Sequence, residues 1–379
     1  MTTGFEPIAD AFEEIISADP KMGGALSIRL EGETVVDLWG GVADERSGSP
    51  WEEDTLNVIF SATKGLTSLL AARLVQNGML DYEASVTEYW PEFGQAGKGK
   101  TKVKHLLSHQ AGLAVLQEDL TIEDVLDWNK VVSRLEVEEP LWIPGENHAY
   151  HAITHGWLIG EVIRRIVGMS VGDYFRSTIA EPLKADTWIG LPSSEESRVA
   201  HLHTTEGFES FFSDLERNPT REGDFSIRSL TLGKAFPPTL ATLDGGFNEP
   251  RVHAAEIPGA GGISTARGLA TIWSATVAVT DGVRLLEDRV IEEATRVQSE
   301  GRPFPGGEPP YHHFGMGFQL SSQARKFFGP SSFGHDGAGG QCAFADNKYH
   351  VGFAFLTNQM DGSTDERSIR LIEALQSRL

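Results

Sequence analysis

Residues 58–70 read VIFSATKGLTSLL, an apolar run that meets a serine and, three positions on, a lysine where an apolar helix begins. Positions i and i+3 share one helix face, so Ser61 and Lys64 come together wherever this stretch is helical. Leu66, Leu69, Leu70 and Leu74 continue at helical spacing to Gln76, and Asn77-Gly78 supplies a stop, so the spacing predicts a helix over 61–76. A serine is a weak nucleophile until a neighbour takes its proton. A helix mouth adds unpaired N–H groups and the positive end of the dipole, both of which favour developing negative charge. Bringing a lysine from about 10.4 to near 7 costs roughly 4–5 kcal/mol, which desolvation and nearby positive charge can supply. S-x-x-K also arises by chance around a solvated lysine, but Phe60 before the motif and Gly65-Leu66 after it set Lys64 in apolar company.

On either side of this helix the chain divides into two kinds of sequence. Residues 5–17 place Phe5, Ile8, Phe12, Ile15 and Ile16 on one helical side. ALSIRL (25–30) and TVVDLWGG (34–41), joined by Glu31-Gly32-Glu33, read as a β-hairpin. From about 80 to 260 helical patches and aromatic-rich loops take over. TIEDVLDW (121–128) sets Thr121 and Asp124 as a capping box. HGWLIGEVIRRIVG (155–168) reads as a helix closed by Gly168. The segment 190–250 is polar and poorly periodic, and long loops are expected there. Strand signals return in CAFADNKYHVGFAFLTN (342–358), a hairpin turning at Asp346-Asn347-Lys348, and S-x-x-E at 363–366 caps a final helix through Ile369, Ile372 and Leu375. The pattern predicts an α+β fold: an antiparallel sheet from both chain ends flanked by helices, plus a mainly helical inserted domain. The expected division is 1–80 with 260–379 as an α/β domain and 81–259 as the helical one.

The chain has 379 residues, 40% of them hydrophobic, enough for a real core. Acidic residues outnumber basic ones 54 to 32, a formal charge of −22 that argues against nucleic acid or anionic lipid as a partner. Cys342 is the one cysteine, which excludes an intrachain disulfide. MTTGFEPIADAFEEIIS (1–17) lacks a basic n-region and a long apolar h-region, and no apolar run reaches the length of a membrane span. The expectation is a soluble cytoplasmic enzyme.

His105/His109 and His151/His155 have i, i+4 spacing, and His312-His313 are adjacent. HAITH (151–155) lacks the glutamate of H-E-x-x-H, and no cysteine set or acidic residue stands at ligand spacing, so neither a metal nor a cofactor is expected. The nucleophile elbow G-x-S-x-G is absent; GGISTARG (261–268) comes near it but fails at the second glycine. Trp157 and Phe327-Phe328 read as packing residues.

Five segments in order carry a family resemblance over nearly the whole chain. They are SATK (61–64), LLSHQAGL (106–113), PGENHAYHAITHGWLIGEVI (144–163), PGAGGISTARGLA (258–270) and GHDGAGG (334–340). Together they resemble the serine β-lactamase and penicillin-binding protein superfamily, closest to the class C-like esterases called family VIII carboxylesterases. The resemblance implies Ser61 as nucleophile, Lys64 as its base and Tyr150 as the second-motif tyrosine that relays a proton. It implies the N–H groups of Ser61 and Ala338 as the oxyanion hole. His335, Asp336, Gly337 and Ala152 would line the substrate site, with Gly337, Gly339 and Gly340 on a strand that substrate approaches closely. Without the resemblance, Tyr150 would read as a loop tyrosine packed on Trp142.

Two departures narrow the implied chemistry. Ala152 stands where the lactamases carry Asn, and His335 where they carry Lys. Those groups hold a β-lactam amide and its carboxylate, and a histidine, often neutral at pH 7, offers less fixed charge. The expectation is a serine carboxylesterase acting on small neutral esters. The alternatives are a β-lactamase or D,D-peptidase, and a catalytically silent scaffold.

Overall fold

Two-residue alternation at the two ends of the chain builds one sheet. The computed structural model describes residues 2–217, 220–362 and 365–379. β1 (Gly23–Leu30) and β2 (Glu33–Asp44) form the first hairpin, and Glu31 (φ 51°) and Gly32 (φ 88°) make its two-residue turn. Left-handed backbone at both positions matches the twist of the paired strands. β3 (Ser49–Pro50) extends this edge. β4 (Asn57–Val58), β5 (Thr187–Ile189) and β6 (Gly262–Ser264) form a small antiparallel sheet in the order β4-β6-β5. β7 (His313–Phe314), β8 (Gln319–Leu320), β9 (Ser332–Asp336), β10 (Cys342–Asp346) and β11 (Val351–Thr357) complete the large sheet. Its order is β3-β2-β1-β11-β10-β9-β8-β7, every pair antiparallel. The chain ends meet at β1–β11, where Leu26 faces Phe355 and Ile28 faces Phe353.

The helices that frame the site are α1 (Glu6–Ser17), α2 (Ala62–Gln76), α3 (Val103–Leu107), α4 (Thr154–Val167), α5 (Glu206–Arg217), α6 (Arg221–Thr231), α7 (Ala266–Val277) and α8 (Arg367–Gln376). Side-chain size sorts the two faces of the large sheet. Phe344, Phe353, Phe355, Leu26 and Ile28 meet Ile8, Phe12 and Ile15 of α1 and Leu371, Ile372 and Leu375 of α8. Burying each such side chain stabilises the fold by roughly 1.5–3 kcal/mol. The alternate positions Ala343, Ala345 and Ala354 face the other way, into the core shared with Leu269, Ala270 and Trp273 of α7. Alanines there let the helix backbone come close to the strands. No helix among the described residues is long and apolar enough to cross a membrane.

Most expected elements stand near their predicted bounds. The helix after Ser61 starts at Ala62, with Ser61 as the residue just ahead of it. Thr121 and Asp124 form the reciprocal cap of a single helical turn, Ile122–Val125. Gly168 closes α4 in the left-handed conformation, φ 71°. The segment 190–250 departs from expectation: it carries α5 and α6 rather than loops alone. Phe208, Phe211, Phe212 and Leu215 do follow helical spacing in α5, but the polar residues between them mask the stripe. The expected cap at 363–366 has its serine outside the described residues, and α8 begins later, at Arg367.

Candidate active site

The chain makes a strained entry into α2. Phe60 is buried and has φ 45°, a left-handed backbone that non-glycine residues seldom adopt. Thr63 Oγ1 donates to the Phe60 carbonyl at 2.5 Å and accepts from the Gly262 N–H at 2.8 Å, which ties this turn to β6. The Phe60 ring meets Phe247 edge-on, 5.1 Å between centroids. Ser61 follows at the helix mouth, and its hydroxyl makes no cap to the helix backbone. The hydroxyl is therefore free for another partner.

That partner is Lys64, fully buried, with Nζ 3.0 Å from Ser61 Oγ. Nζ also donates to the carbonyls of Ala152 at 2.6 Å and Gly259 at 2.7 Å. Burial lowers the lysine well below its ordinary pKa. The neighbouring positive charge expected from sequence plays no part, because the imidazoles nearby are neutral. His335 is held down to about 3 and His151 to about 4, each by burial first, and His109 and His155 lie well below the usual histidine value for the same reason. Two N–H donors on two carbonyls leave a neutral amine with one lone pair, and the remaining neighbour is Ser61 Oγ.

Tyr150 reaches the same spot from the loop before α4. Lys64 Nζ lies 4.8 Å from its ring centroid. The ring stacks on Phe314 at 5.8 Å and packs against His109 at 4.9 Å and His335 at 5.9 Å. Trp142 packs instead on Phe304 and His151. Burial raises the Tyr150 phenol above its ordinary pKa, with the Ser61 hydroxyl pulling the other way, so at neutral pH the group is a phenol.

The third segment closes the site from β9. His335 Nδ1–H donates to the Asp336 carbonyl at 2.6 Å, which leaves Nε2 as an acceptor with no partner among the described residues. Asp336 Oδ2 lies 2.8 Å from Arg325 Nε, and the Asp336 N–H donates to Gln319 Oε1 at 2.9 Å. A Cβ at Gly337 would run into the Ile59 carbonyl, so this glycine lets the segment pass against the chain two residues before Ser61. The expected glycine strand is corrected here: β9 ends at Asp336, and Ala338–Gly340 is a turn with Gly339 at φ 78° and Gly340 at φ 109°. Gly339 and Gly340 hold this left-handed backbone and lie in close contact with Met360 and Arg367. Among the described residues, neither the Ser61 N–H nor the Ala338 N–H donates to a protein acceptor.

Ser61, Tyr150, Ala152, His335, Asp336, Gly337 and Ala338 line one cavity of about 710 Å³. Lys64 sits behind Ser61, out of the cavity. Sequence reasoning missed the opposite wall, the run Gly301–His312 with Phe225 of α6. GRPFPGGEPPYH carries no periodicity that would place it in space, and only its proline and glycine content marked it as irregular. His109 packs against His151 and His155, and among the described residues no group of three or more His, Cys, Asp or Glu is arranged to hold a metal. Trp157 and Phe327 are buried in the packing.

Fold and site together define the class of β-lactamases and penicillin-binding proteins. The chain belongs to the Beta-lactamase family, whose model matches residues 12–377. The esterase/beta-lactamase LipL of Mycobacterium tuberculosis is 33% identical over 362 residues, 94% of this chain and 81% of that protein. The crystal structure of a family VIII carboxylesterase superposes with a TM-score of 0.88 at 34% identity, covering 100% of this chain and 98% of that one. A penicillin-binding protein homolog from Caulobacter crescentus gives a TM-score of 0.86 at 35% identity, again covering 100% and 98%.

Proposed function

We propose that this chain is a carboxylesterase that cleaves esters of small uncharged acyl groups through an acyl-enzyme on Ser61. The observation that carries the reading is the buried Lys64 Nζ, 3.0 Å from Ser61 Oγ and anchored on two carbonyls. The esterase names of LipL and of the family VIII neighbour support the same class.

In acylation the Ser61 oxygen bonds to the ester carbonyl carbon while its proton passes to neutral Lys64. The carbonyl π pair moves onto oxygen, which takes hydrogen bonds from the Ser61 and Ala338 N–H groups; losing one such donor costs about 3–4 kcal/mol. Collapse re-forms the carbonyl and breaks the bond to the alcohol oxygen. Tyr150 gives that oxygen its proton and recovers one from the Lys64 ammonium. Water then attacks the acyl-enzyme by the same path in reverse, freeing the acid and Ser61.

The cavity limits the substrate. Its walls include Phe225, Phe304, Pro305 and Phe314, and among the described residues no lysine or arginine lines it. Its carboxylates are Glu222, Glu308 and Asp336, the last already paired with Arg325. His335 is neutral, so an anionic substrate finds no counter-charge. An uncharged ester fits better than a β-lactam, which carries a carboxylate. Ser61→Ala should abolish hydrolysis of p-nitrophenyl butyrate, by at least about 10³-fold in kcat. The wild type should turn over that ester faster than nitrocefin; the reverse order would make the chain a β-lactamase first.

A further inference from the structure

The segment LLSHQAGL (106–113) has no role in the scheme above, yet it touches the site. His109 is fully buried with φ 63°, in the left-handed region although it is not glycine. Its backbone carbonyl accepts from the Ala149 N–H at 3.1 Å, and its ring Nδ1 accepts from the His151 N–H at 3.2 Å. Those donors are the residues on either side of Tyr150. One residue therefore brackets the tyrosine, and its ring fills the space beneath the phenol ring, 4.9 Å between centroids.

The left-handed backbone is what permits this. It turns the carbonyl and the side chain of His109 toward the same stretch of chain. Backbone strain of this kind persists only where surrounding contacts hold it. The contacts are present: His151 Nδ1–H donates to the Ala149 carbonyl at 2.6 Å, and His151 Nε2 accepts from the Leu113 N–H at 3.0 Å. Because His109 Nδ1 is an acceptor, the ring is the Nε2–H tautomer. That N–H is buried without a partner among the described residues, a cost the fold tolerates at this position.

We propose that His109 is a positioning residue for the reaction: its carbonyl and its Nδ1 hold the backbone N–H groups of the two residues on either side of Tyr150 and fix the phenol over Lys64. The inference rests on the reading of Tyr150 as the proton relay. A misplacement of about 1 Å in a reacting group can cost on the order of 10²-fold in rate. A clamp of this kind acts on kcat more than on KM, because it places the relay and does not touch the ester.

The test separates acceptor from ring. His109→Asn keeps an acceptor near Nδ1 and tolerates left-handed backbone. His109→Phe keeps a ring and loses the acceptor. His109→Ala loses both without adding bulk. With p-nitrophenyl butyrate, H109N should stay within about fivefold of wild-type kcat, while H109F and H109A fall about 100-fold with KM within threefold. In a Tyr150→Phe background H109A should add no further loss, since the relay it positions is gone. Thermal melts check that each variant is folded, and H109A decides the matter where H109F is not. A wild-type kcat in H109A beside an inactive Y150F would overturn this inference alone, as would an H109N loss equal to that of H109A. A Y150F enzyme at the wild-type rate would instead remove the Tyr150 reading itself.

Discussion

At the scale of single residues, the site turns on what surrounds one amine. Nζ of Lys64 has three polar neighbours, and two of them are carbonyls that can only accept. Those carbonyls restrain the amine in place, while full burial opposes its charge. The ammonium form cannot take a proton from Ser61, so activity should fall as pH drops through the lowered lysine pKa. A kcat/KM profile between pH 5 and 10 should therefore rise and level off well below the ordinary lysine range; a profile still climbing at pH 10 would show a lysine of ordinary basicity. Lys64→Met keeps the length of the side chain and cannot titrate. It should reduce kcat by about 10³-fold, the middle of the usual range for a general base, and abolish the acid limb. The serine–lysine pairing was legible in the sequence because i, i+3 spacing is a local property. The two carbonyls were not, since Ala152 and Gly259 lie 88 and 195 positions away along the chain.

At the scale of elements, α4 shows how backbone contact supports chemistry. Gly156 meets the backbone of Pro258-Gly259 so closely that a Cβ would overlap the Gly259 nitrogen. The carbonyl of that same Gly259 holds Lys64. Gly156→Ala gains up to about 1 kcal/mol of helix propensity, but the overlap costs about 1–3 kcal/mol or more and pushes the carbonyl away from the amine. The expected result is a lower melting temperature and a lower kcat together. Gly168 closes the same helix at φ 71° with open space where a Cβ would stand. Gly168→Ala should cost about 1 kcal/mol in a melt and leave kcat unchanged. Equal effects of the two substitutions on kcat would show that the contact does not reach the site. The bounds of α4 could be read in advance because Gly168 and the apolar stripe are local signals. The wall from Gly301 to His312 could not, because its position depends on long-range packing. The helices α5 and α6 lie between these cases: their periodicity is present, but frequent Ser, Glu and Arg within each turn dilute it.

At the scale of the whole molecule, the core holds histidines that the unfolded chain would protonate. His109, His151, His155 and His335 are all buried, and burial is the first cause that keeps each neutral: His335 to about 3, His151 to about 4, the other two well below the ordinary value. In the unfolded chain each takes a proton near pH 6.5. Below that value the unfolded state binds more protons than the folded one, so stability is present above about 6.5 and is lost as pH falls toward about 4. Between pH 6.5 and 5.5 each such group contributes about 1 kcal/mol, and the slope approaches about 1.4 kcal/mol per unit only at lower pH. A domain's whole stability is about 5–15 kcal/mol. Most carboxylates titrate lower, near 4, so their protonation does not offset the loss in this window. Urea titrations at pH 7.5, 6.5 and 5.5 should therefore give midpoints that drop steeply over the last step. His155 is the member to remove, since Nε2 alone has a partner, the Leu107 carbonyl at 3.2 Å. His155→Gln keeps a donor for that carbonyl and cannot titrate, so the loss of stability between pH 6.5 and 5.5 should lessen by about 1 kcal/mol. An unchanged slope in that variant, or a wild-type midpoint constant from 7.5 to 5.5, would mean that these imidazoles gain water or protons in the folded state.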